Sequence, residues 1–457
     1  MRTVRGLFAA SLTCVALAAA SLALGHEPVY DAWAWLVWGR EIAGGGLDIS
    51  SGPTWKPLTV AIAVPLSLAG DAAPDLWLVL VRAAWLLGLV LAAELAWVLA
   101  AGAPRGARIA GAFFAAVSLL LLADPVTMWA RQAAGGMSEP LLVALVLGAI
   151  RAQLRGRSRL ALVLGALAGL LRPEAWPLLG LFGLWLWRRD RSSRPLLVAL
   201  AIGLAALWLL PDLLASGDAL GSAGRAQRGG GGPWDALVRA AGLPLAAAWP
   251  LAILALRGRD SRLLALGLGT LAWIAIVVVM AAGGFPGLPR FMAPAAAVAG
   301  VLGGVGLARL LEARPAPAVA ALAAVFALLT AFELAIRAPE LPHAIRSTAR
   351  IADSHERLRA LAGEIGTERL LACGRLATSD VLVRTALAWE LDVPLADVVS
   401  FGRPPRDSGA FVVGQQASPG VREDVGAVAT QVGRRGEWRV YSLDCPATIA
   451  GVTGARR

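Results

Sequence analysis

The sequence is poor in charge and almost without lysine. Only 16% of its 457 residues are charged, whereas 58% are hydrophobic. Soluble domains usually hold about 25% charged and about 45–50% apolar residues. A soluble fold of this length has no use for so much apolar surface, but a fold whose outer face contacts lipid requires it. Composition therefore excludes an ordinary soluble protein and predicts a polytopic α-helical membrane protein.

Basic side chains are almost all arginine, and Lys56 is the one lysine in the chain. The net charge of +11 does not indicate nucleic acid as a partner, because the arginines form short clusters between apolar runs rather than a basic stripe interleaved with aromatics. The Ala/Gly/Arg bias resembles that of a GC-rich bacterial genome. In such a chain, a retained lysine indicates a site where arginine does not serve.

Cysteine and histidine are also scarce, at three each. No Cys/His spacing predicts zinc, and no glycine-rich phosphate loop precedes a helix. Cys14 lies in the first apolar run and is interpreted as a packing residue. Cys373 and Cys445 form an even pair near the C-terminus, which favours a disulfide in a domain outside the cytoplasm, with two free thiols as the alternative.

Apolar runs predict about eleven spanning helices. The first run, within residues 1–24, is interpreted as a retained helix rather than a cleaved signal peptide, because it is long for a signal sequence and lacks a clean cleavage site. Several later runs are shorter than the roughly 20 residues of a straight span. They fall at about 75–100, 106–123, 139–152, 159–171, 175–187, 195–213, 241–256, 263–282, 292–310 and 316–337.

Arginines alternate between the loops and predict the topology. Loops of one side hold the clusters around Arg2, Arg105, Arg151, Arg188, Arg257 and Arg314, whereas loops of the other side hold most acids, including Glu27, Asp31, Glu41, Asp48, Asp124 and Glu139. Cytoplasmic loops carry the excess of arginine. The sequence therefore predicts a multi-pass protein of the bacterial cytoplasmic (inner) membrane, with its N-terminus inside and its C-terminal domain outside.

The C-terminal region differs from the rest in its frequent charges. Residues 369–371 and 410–413 are predicted to be strands, and residues 351–365 and 380–391 to be helices. We therefore expect a transmembrane module at 1–337 and a small soluble α/β domain at 338–457.

The first outer loop, residues 25–74, is long and aromatic. Trp33, Trp35 and Trp38 are interpreted as interface anchors, or as one face of an amphipathic helix on the bilayer surface. Asp31 directly follows the first span. It is either a helix cap or a solvated acid, or a general base acting on an acceptor hydroxyl.

This loop resembles that of the GT-C glycosyltransferases. Asp31 is followed about 25 residues later by Lys56-Pro57-Leu58 before an apolar segment, as in the protein mannosyltransferase and lipid A aminoarabinose transferase branch. The family pattern has a second proline where this chain has Leu58, and commonly a second acid where this chain has Ala32. The resemblance is therefore to this branch as a whole and not to one subfamily.

Three further elements of the outer face, in family order, fit the resemblance, which covers roughly residues 1–340. They are Met137–Leu141, the turn Leu171–Glu174, and Pro289–Pro294 with its Arg-Phe-x-x-Pro pattern. The resemblance implies an integral membrane glycosyltransferase that moves a mannose- or arabinose-like sugar from a polyprenyl-phosphate donor to an envelope glycan, lipid or protein. Membrane lipid is the other implied partner.

The resemblance also implies roles for single residues. Asp31 is the expected catalytic base of an inverting transfer, and Lys56 and Arg290 are expected to bind the donor phosphate, because cations stabilise the charge of the leaving group. Glu139, Arg172, Glu174 and Arg40 are the expected orienting residues. No cofactor is expected, although His26 and Glu27 near Asp31 leave a divalent cation as the open alternative.

Two other classes of function remain open at this stage. A transporter or flippase of lipid-linked saccharides would place ionisable residues near the bilayer midplane, whereas most charges here lie at helix ends, with Arg82 and Glu94 as candidate exceptions. A non-catalytic envelope-assembly protein would have no need of Asp31 and Lys56. The enzyme reading is therefore preferred.

Overall fold

The computed structural model describes residues 2–122, 129–227, 232–312, 317–372, 374–401, 409–414 and 419–443. Cys373 and Cys445, for which the sequence predicts a disulfide, lie outside these residues, as do Asp124 and Arg314 of the predicted loops. The chain forms two compact units. Unit 1 holds residues 1–23, 54–58 and 78–345, and unit 2 holds residues 24–53, 59–77 and 346–457.

Helices dominate the chain. The described residues form α1 (Arg2–Ala20), α2 (Tyr30–Ala43), α3 (Pro57–Ser67), α4 (Ala73–Leu99), α5 (Arg105–Leu120), α6 (Trp129–Ala134), α7 (Glu139–Leu154), α8 (Ser158–Gly169), α9 (Trp176–Arg189), α10 (Arg194–Ser216), α11 (Gly221–Ala226), α12 (Pro233–Gly242), α13 (Ala248–Leu256), α14 (Ser261–Ala282), α15 (Ala293–Glu312), α16 (Pro317–Arg337), α17 (Glu340–Ile365), α18 (Thr367–Ala372), α19 (Arg384–Glu390) and α20 (Pro419–Val428).

The apolar runs of the sequence coincide with these helices to within a few residues. The one clear exception is the run predicted at 241–256, of which residues 241–242 end α12, residues 243–247 connect the two helices, and α13 begins only at Ala248. Pro244 lies in this connection. Proline has no backbone N–H and restricts the residue before it, so that a helix ends at such a place.

Six helical segments of the described residues are long and apolar enough to cross a membrane. They are Gly6–Ala23, Gly70–Leu99, Arg191–Ala215, Ser261–Ala282, Pro289–Glu312 and Ala320–Ile365. Shorter helices, among them α5, α7, α8 and α9, fall where the sequence predicts additional short spans. The prediction of about eleven spans is therefore in rough agreement with the structure.

The centre of unit 1 is α15, which is buried on almost all sides and contacts α5 and α13. Small residues allow this approach. A Cβ at Gly111 of α5 would overlap the backbone carbonyl of Gly304, and one at Gly306 would overlap that of Leu251. Because lipid offers no hydrophobic drive for helix association, such close backbone packing supplies dispersion contacts instead.

Unit 2 contains a five-stranded sheet of order β2-β1-β3-β5-β4. The strands are β1 (Arg375–Thr378), β2 (Val398–Ser400), β3 (Gly409–Val413), β4 (Thr430–Arg435) and β5 (Trp438–Leu443). The β1 strand pairs in parallel with β2 and β3, whereas β5 pairs antiparallel with β3 and β4. The predicted strand at 410–413 is confirmed. The predicted strand at 369–371 is wrong, since these residues belong to α18 and the strand begins at Arg375.

The tryptophans of the first outer loop are core residues of unit 2. Trp33 is 2% exposed, and Trp35 and Trp38 are 0% exposed. Trp38 donates its indole N–H to the carbonyl of Asp48 at 3.1 Å. The expectation of interface anchors or of a surface helix is therefore wrong, because α2 is buried along Ala32–Gly39.

Candidate active site

Residues 54–58 are the only part of the first outer loop that belongs to unit 1. The backbone N–H of Leu58 donates to the carbonyl of Leu170 at 3.3 Å, and the Trp55 indole donates to the carbonyl of Leu207 at 3.0 Å. Pro57 opens α3, as proline commonly does at a first helical position. These three features hold Lys56 beside the C-terminal end of α8.

Glu139 is the first residue of α7 and is fully buried. The turn before it has a left-handed residue, Gly136, with φ of 77°, a conformation that glycine adopts without steric cost. Pro140 follows as the second helical residue. A carboxylate in this first turn also benefits from the positive end of the helix dipole.

Lys56 lies against the beginning of α7. Its ammonium donates to Ser138 Oγ at 2.6 Å and is 3.5 Å from Glu139 Oε1. Lys56 is only 5% exposed. Lys56 is therefore a buried member of this group and not a side chain that extends to lipid headgroups.

Arg172 adds a second cation to the same carboxylate. Its Nη2 donates to Glu139 Oε1, and its Nη1 is 3.6 Å from Glu174 Oε1. The guanidinium carbon lies 3.7 Å from the ring centroid of Phe291, which is close enough for a cation–π interaction. Arg172 has an extended backbone and precedes the short turn Pro173–Ala175, which brings Glu174 back toward it.

Arg290 completes the group from the turn Pro289–Met292 before α15. Its Nε is 4.0 Å from Glu139 Oε1, and its side chain is 29% exposed. The indole N–H of Trp273 donates to the carbonyl of Phe291 at 2.8 Å and so fixes this turn.

The five ionisable residues are hereafter the Glu139 cluster: Lys56, Glu139, Arg172, Glu174 and Arg290. Three cations face two carboxylates, so that the cluster carries a formal charge of +1. Among the described residues, Glu139 Oε2 and Glu174 Oε2 are buried without a hydrogen-bond partner. Such a cluster can bind a further anion with several oxygens, since lysine offers a compact charge and arginine a planar fork of donors.

Asp31 and Arg40, the other predicted site residues, belong to α2 of unit 2. Asp31 is the second residue of that helix. Arg40 donates to the carbonyls of Ala388, Trp389 and Val393 at 2.9–3.0 Å. Burial lowers the pKa of Arg40, against the opposing effect of the Asp392 carboxylate. These bonds join Arg40 to α19 and the loop after it, and its orienting role stays a prediction.

Ser138 and Phe291 contact the cluster but receive no role from the sequence. Both stand directly beside a predicted residue, Ser138 before Glu139 and Phe291 after Arg290. Adjacency in the motif was the signal that could have found them. A hydroxyl and a ring carry no charge, and so the charge pattern did not single them out.

The residues considered for a divalent cation have other partners in unit 2. His26 Nε2 lies 3.0 Å from Asp75 Oδ1, and Glu27 Oε1 lies 2.7 Å from His355 Nδ1. Within the described parts of the chain, no group of three or more His, Cys, Asp or Glu residues is placed to hold a metal ion.

The fold is similar to that of two crystal structures of ArnT from Cupriavidus metallidurans. The apo structure has a TM-score of 0.57 at 16% identity, over 96% of this chain and 97% of that chain. The structure bound to undecaprenyl phosphate has a TM-score of 0.56 at 15% identity, over 98% of this chain and 99% of that chain. The chain has an ArnT-like fold.

This ArnT-like fold confirms the predicted class, a polytopic helical membrane protein with a small C-terminal α/β domain. The sequence itself matches no family model and no curated protein. The orientation of the transmembrane module in the membrane stays a prediction from the arginine distribution.

Proposed function

We propose that this chain is a glycosyltransferase of the bacterial cytoplasmic membrane that uses a polyprenyl-phosphate-linked sugar. The Glu139 cluster carries the proposal, because it gathers three cations around one buried carboxylate at a helix beginning. A polyprenyl phosphate presents several anionic oxygens that match this charge. One of the ArnT structures of similar fold is bound to undecaprenyl phosphate, a lipid of the same chemical class.

The proposed reaction displaces the lipid phosphate from the sugar. An acceptor hydroxyl attacks the anomeric carbon, and the bond between that carbon and the phosphate oxygen breaks with its electron pair going to the phosphate. Asp31 takes the hydroxyl proton, and the anomeric configuration inverts. Lys56 and Arg290 stabilise the charge on the departing phosphate, while Arg172 and Glu174 orient the donor.

The donor sugar is proposed to be mannose- or arabinose-like, and the acceptor an envelope glycan, lipid or protein at the outer face of the membrane. No metal takes part in this scheme. Charge neutralisation comes from the side chains of Lys56 and Arg290.

The deciding experiment supplies purified, reconstituted protein with labelled polyprenyl-phosphate sugars and envelope acceptors. Wild type should consume the donor, whereas Asp31→Asn and Lys56→Ala should lose most of the transfer. Arg151→Gln is the matched control, since Arg151 also pairs with a carboxylate in unit 1, that of Glu94. Absence of donor consumption by wild type, or full transfer by both site variants, refutes the proposal.

A vesicle assay separates the transporter alternative from the enzyme. If wild type moves a fluorescent lipid-linked saccharide across the bilayer without breaking the sugar–phosphate bond, the chain is a flippase and the scheme above is wrong.

A further inference from the structure

Glu27 connects two distant parts of unit 2 through a single carboxylate oxygen. Its Oε1 lies 2.7 Å from His355 Nδ1 and accepts the indole N–H of Trp33 at 3.2 Å. The side chains of Glu27 and His355 are only 8% and 11% exposed. A buried carboxylate requires such donors, because its desolvation is otherwise costly. His355 belongs to α17, and Trp33 to the first two turns of α2.

The chain before α2 lies directly on α17. A Cβ at Gly25 would be 2.8 Å from Ala349 Cβ and 2.9 Å from Ala349 Cα, closer than side chains approach. The contact therefore requires a glycine at position 25, because any side chain there would overlap Ala349. His355 lies less than two helical turns beyond Ala349 on α17, and so residues 25–27 run along this helix.

A second layer of contacts surrounds this connection. Arg359 of α17 donates to Glu390 of α19 at 2.6 Å. The Trp33 and Trp389 rings have centroids 5.8 Å apart. The first turns of α2 are thus held by both α17 and α19.

We propose that His355 is a positioning residue that sets the orientation of Asp31 through Glu27. Asp31 lies two residues before Trp33 and four residues after Glu27, and Glu27 is the group that joins this stretch to α17. The C-terminal domain, on this account, holds the helix that carries the base. The inference rests on the proposed function, in which Asp31 is the catalytic base.

The test compares three variants of the full chain in the transfer assay. His355→Ala should lower kcat by about 10- to 100-fold, the cost of a reacting group misplaced by about 1 Å. The KM for the lipid donor should stay within about twofold, because the cations of the Glu139 cluster are unchanged. His355→Asn should restore most of kcat, since its amide nitrogen replaces Nδ1 as the donor.

Arg357→Ala is the matched control. Arg357 stands on the same helix and pairs with Glu437 at 2.8 Å, so that its loss weakens the C-terminal domain without touching Glu27. This variant should keep kcat near that of wild type. An equal fall of kcat in Arg357→Ala, or an unchanged kcat in His355→Ala, overturns the inference.

Amide hydrogen exchange supplies a readout that needs no turnover. His355→Ala should exchange faster than wild type in peptides covering residues 24–43, and Arg357→Ala should not. If wild type transfers no sugar, the proposed function is wrong, and hydrogen exchange alone then tests the contact between Glu27 and His355. Unchanged exchange at residues 24–43 in His355→Ala overturns the inference in either case.

Discussion

Two ion-pair groups stand at opposite ends of α7 and differ in how their carboxylate is satisfied. Near the C-terminal end, Glu94 Oε2 accepts from Arg151 Nε at 2.8 Å, and Oε1 accepts from Arg155 at 2.5 Å. At the N-terminal end, three cations approach Glu139 Oε1, while Oε2 has no hydrogen-bond partner among the described residues.

The difference separates a structural group from a candidate binding site. In the Glu94 group, each carboxylate oxygen pairs with its own arginine. The Glu94 side chain is also 24% exposed. The Glu139 cluster brings three cations to one oxygen of a buried carboxylate, an arrangement of donors that can also engage an anion with several oxygens.

Replacing each carboxylate by its amide gives the largest expected contrast. Glu139→Gln should destabilise the protein by about 3–5 kcal/mol, since it removes the common partner of buried cations. Glu94→Gln should cost about 1 kcal/mol or less, because its group is partly exposed. Thermal unfolding in detergent measures both. Added polyprenyl phosphate should raise the Tm of Glu94→Gln as it does that of wild type, because the Glu139 cluster is intact, and equal destabilisation by the two substitutions would remove the distinction.

Removing one cation from each group tests catalysis. Lys56→Ala should lower transfer by about 10²–10³-fold, the usual cost of losing a donor that stabilises developing charge. Arg151→Gln should transfer within about threefold of wild type. The measurement is the initial rate at saturating acceptor. Similar losses in both variants would mean that the Lys56 effect is one of stability.

Exchanging arginine for lysine tests geometry instead of charge. Arg290→Lys should weaken binding of polyprenyl phosphate about tenfold, because lysine lacks the planar fork that grips two phosphate oxygens. Arg155→Lys should leave this affinity unchanged. Isothermal titration with the lipid phosphate in detergent compares them, and unchanged binding by Arg290→Lys would exclude a bidentate contact.

Two stacked arginines provide the smallest contrast. Arg172 lies over Phe291 at 3.7 Å, and Arg108 lies over Trp97 at 3.8 Å, near the Glu94 group. Phe291→Leu should weaken binding of the lipid phosphate by about two- to fivefold, the worth of an exposed to partly buried cation–π contact. Trp97→Leu should alter only the Tm. A larger effect of Trp97→Leu on binding would contradict the assignment of the site.

Most of the membrane helices were predictable, because each long apolar run needs a helix to satisfy its backbone. The break between α12 and α13 was missed although Gly242 and Pro244 signal it, since residues 241–256 contain no charged residue. The burial of Trp33, Trp35 and Trp38 could not be predicted, because interface and core use tryptophan alike. The prediction of a short strand at 369–371 was wrong because the pattern of three residues does not distinguish a helix from a strand.

The five members of the Glu139 cluster could be predicted from the sequence but not their geometry, whereas Asp31 and Arg40 of the predicted site belong to unit 2. Lys56, Glu139, Arg172, Glu174 and Arg290 follow from the order of motifs. Glu139 is the shared partner of the three cations because of the way α7, α8 and the turn before α15 meet. A local pattern of residues does not determine this tertiary arrangement. Glu27 and His355 are 328 residues apart in sequence, and no local pattern of residues indicates that they are in contact.

Because Lys56 is the one lysine of the chain, its amine can be labelled selectively. Because the chain has no other ε-amine, reductive methylation with ¹³C-formaldehyde would place a single side-chain label, in the Glu139 cluster, besides one at the N-terminal amine. The resulting NMR resonance would report the local field at Ser138 and Glu139 directly, before and after a lipid phosphate is added. The single lysine of the chain thus gives the site its own spectroscopic probe.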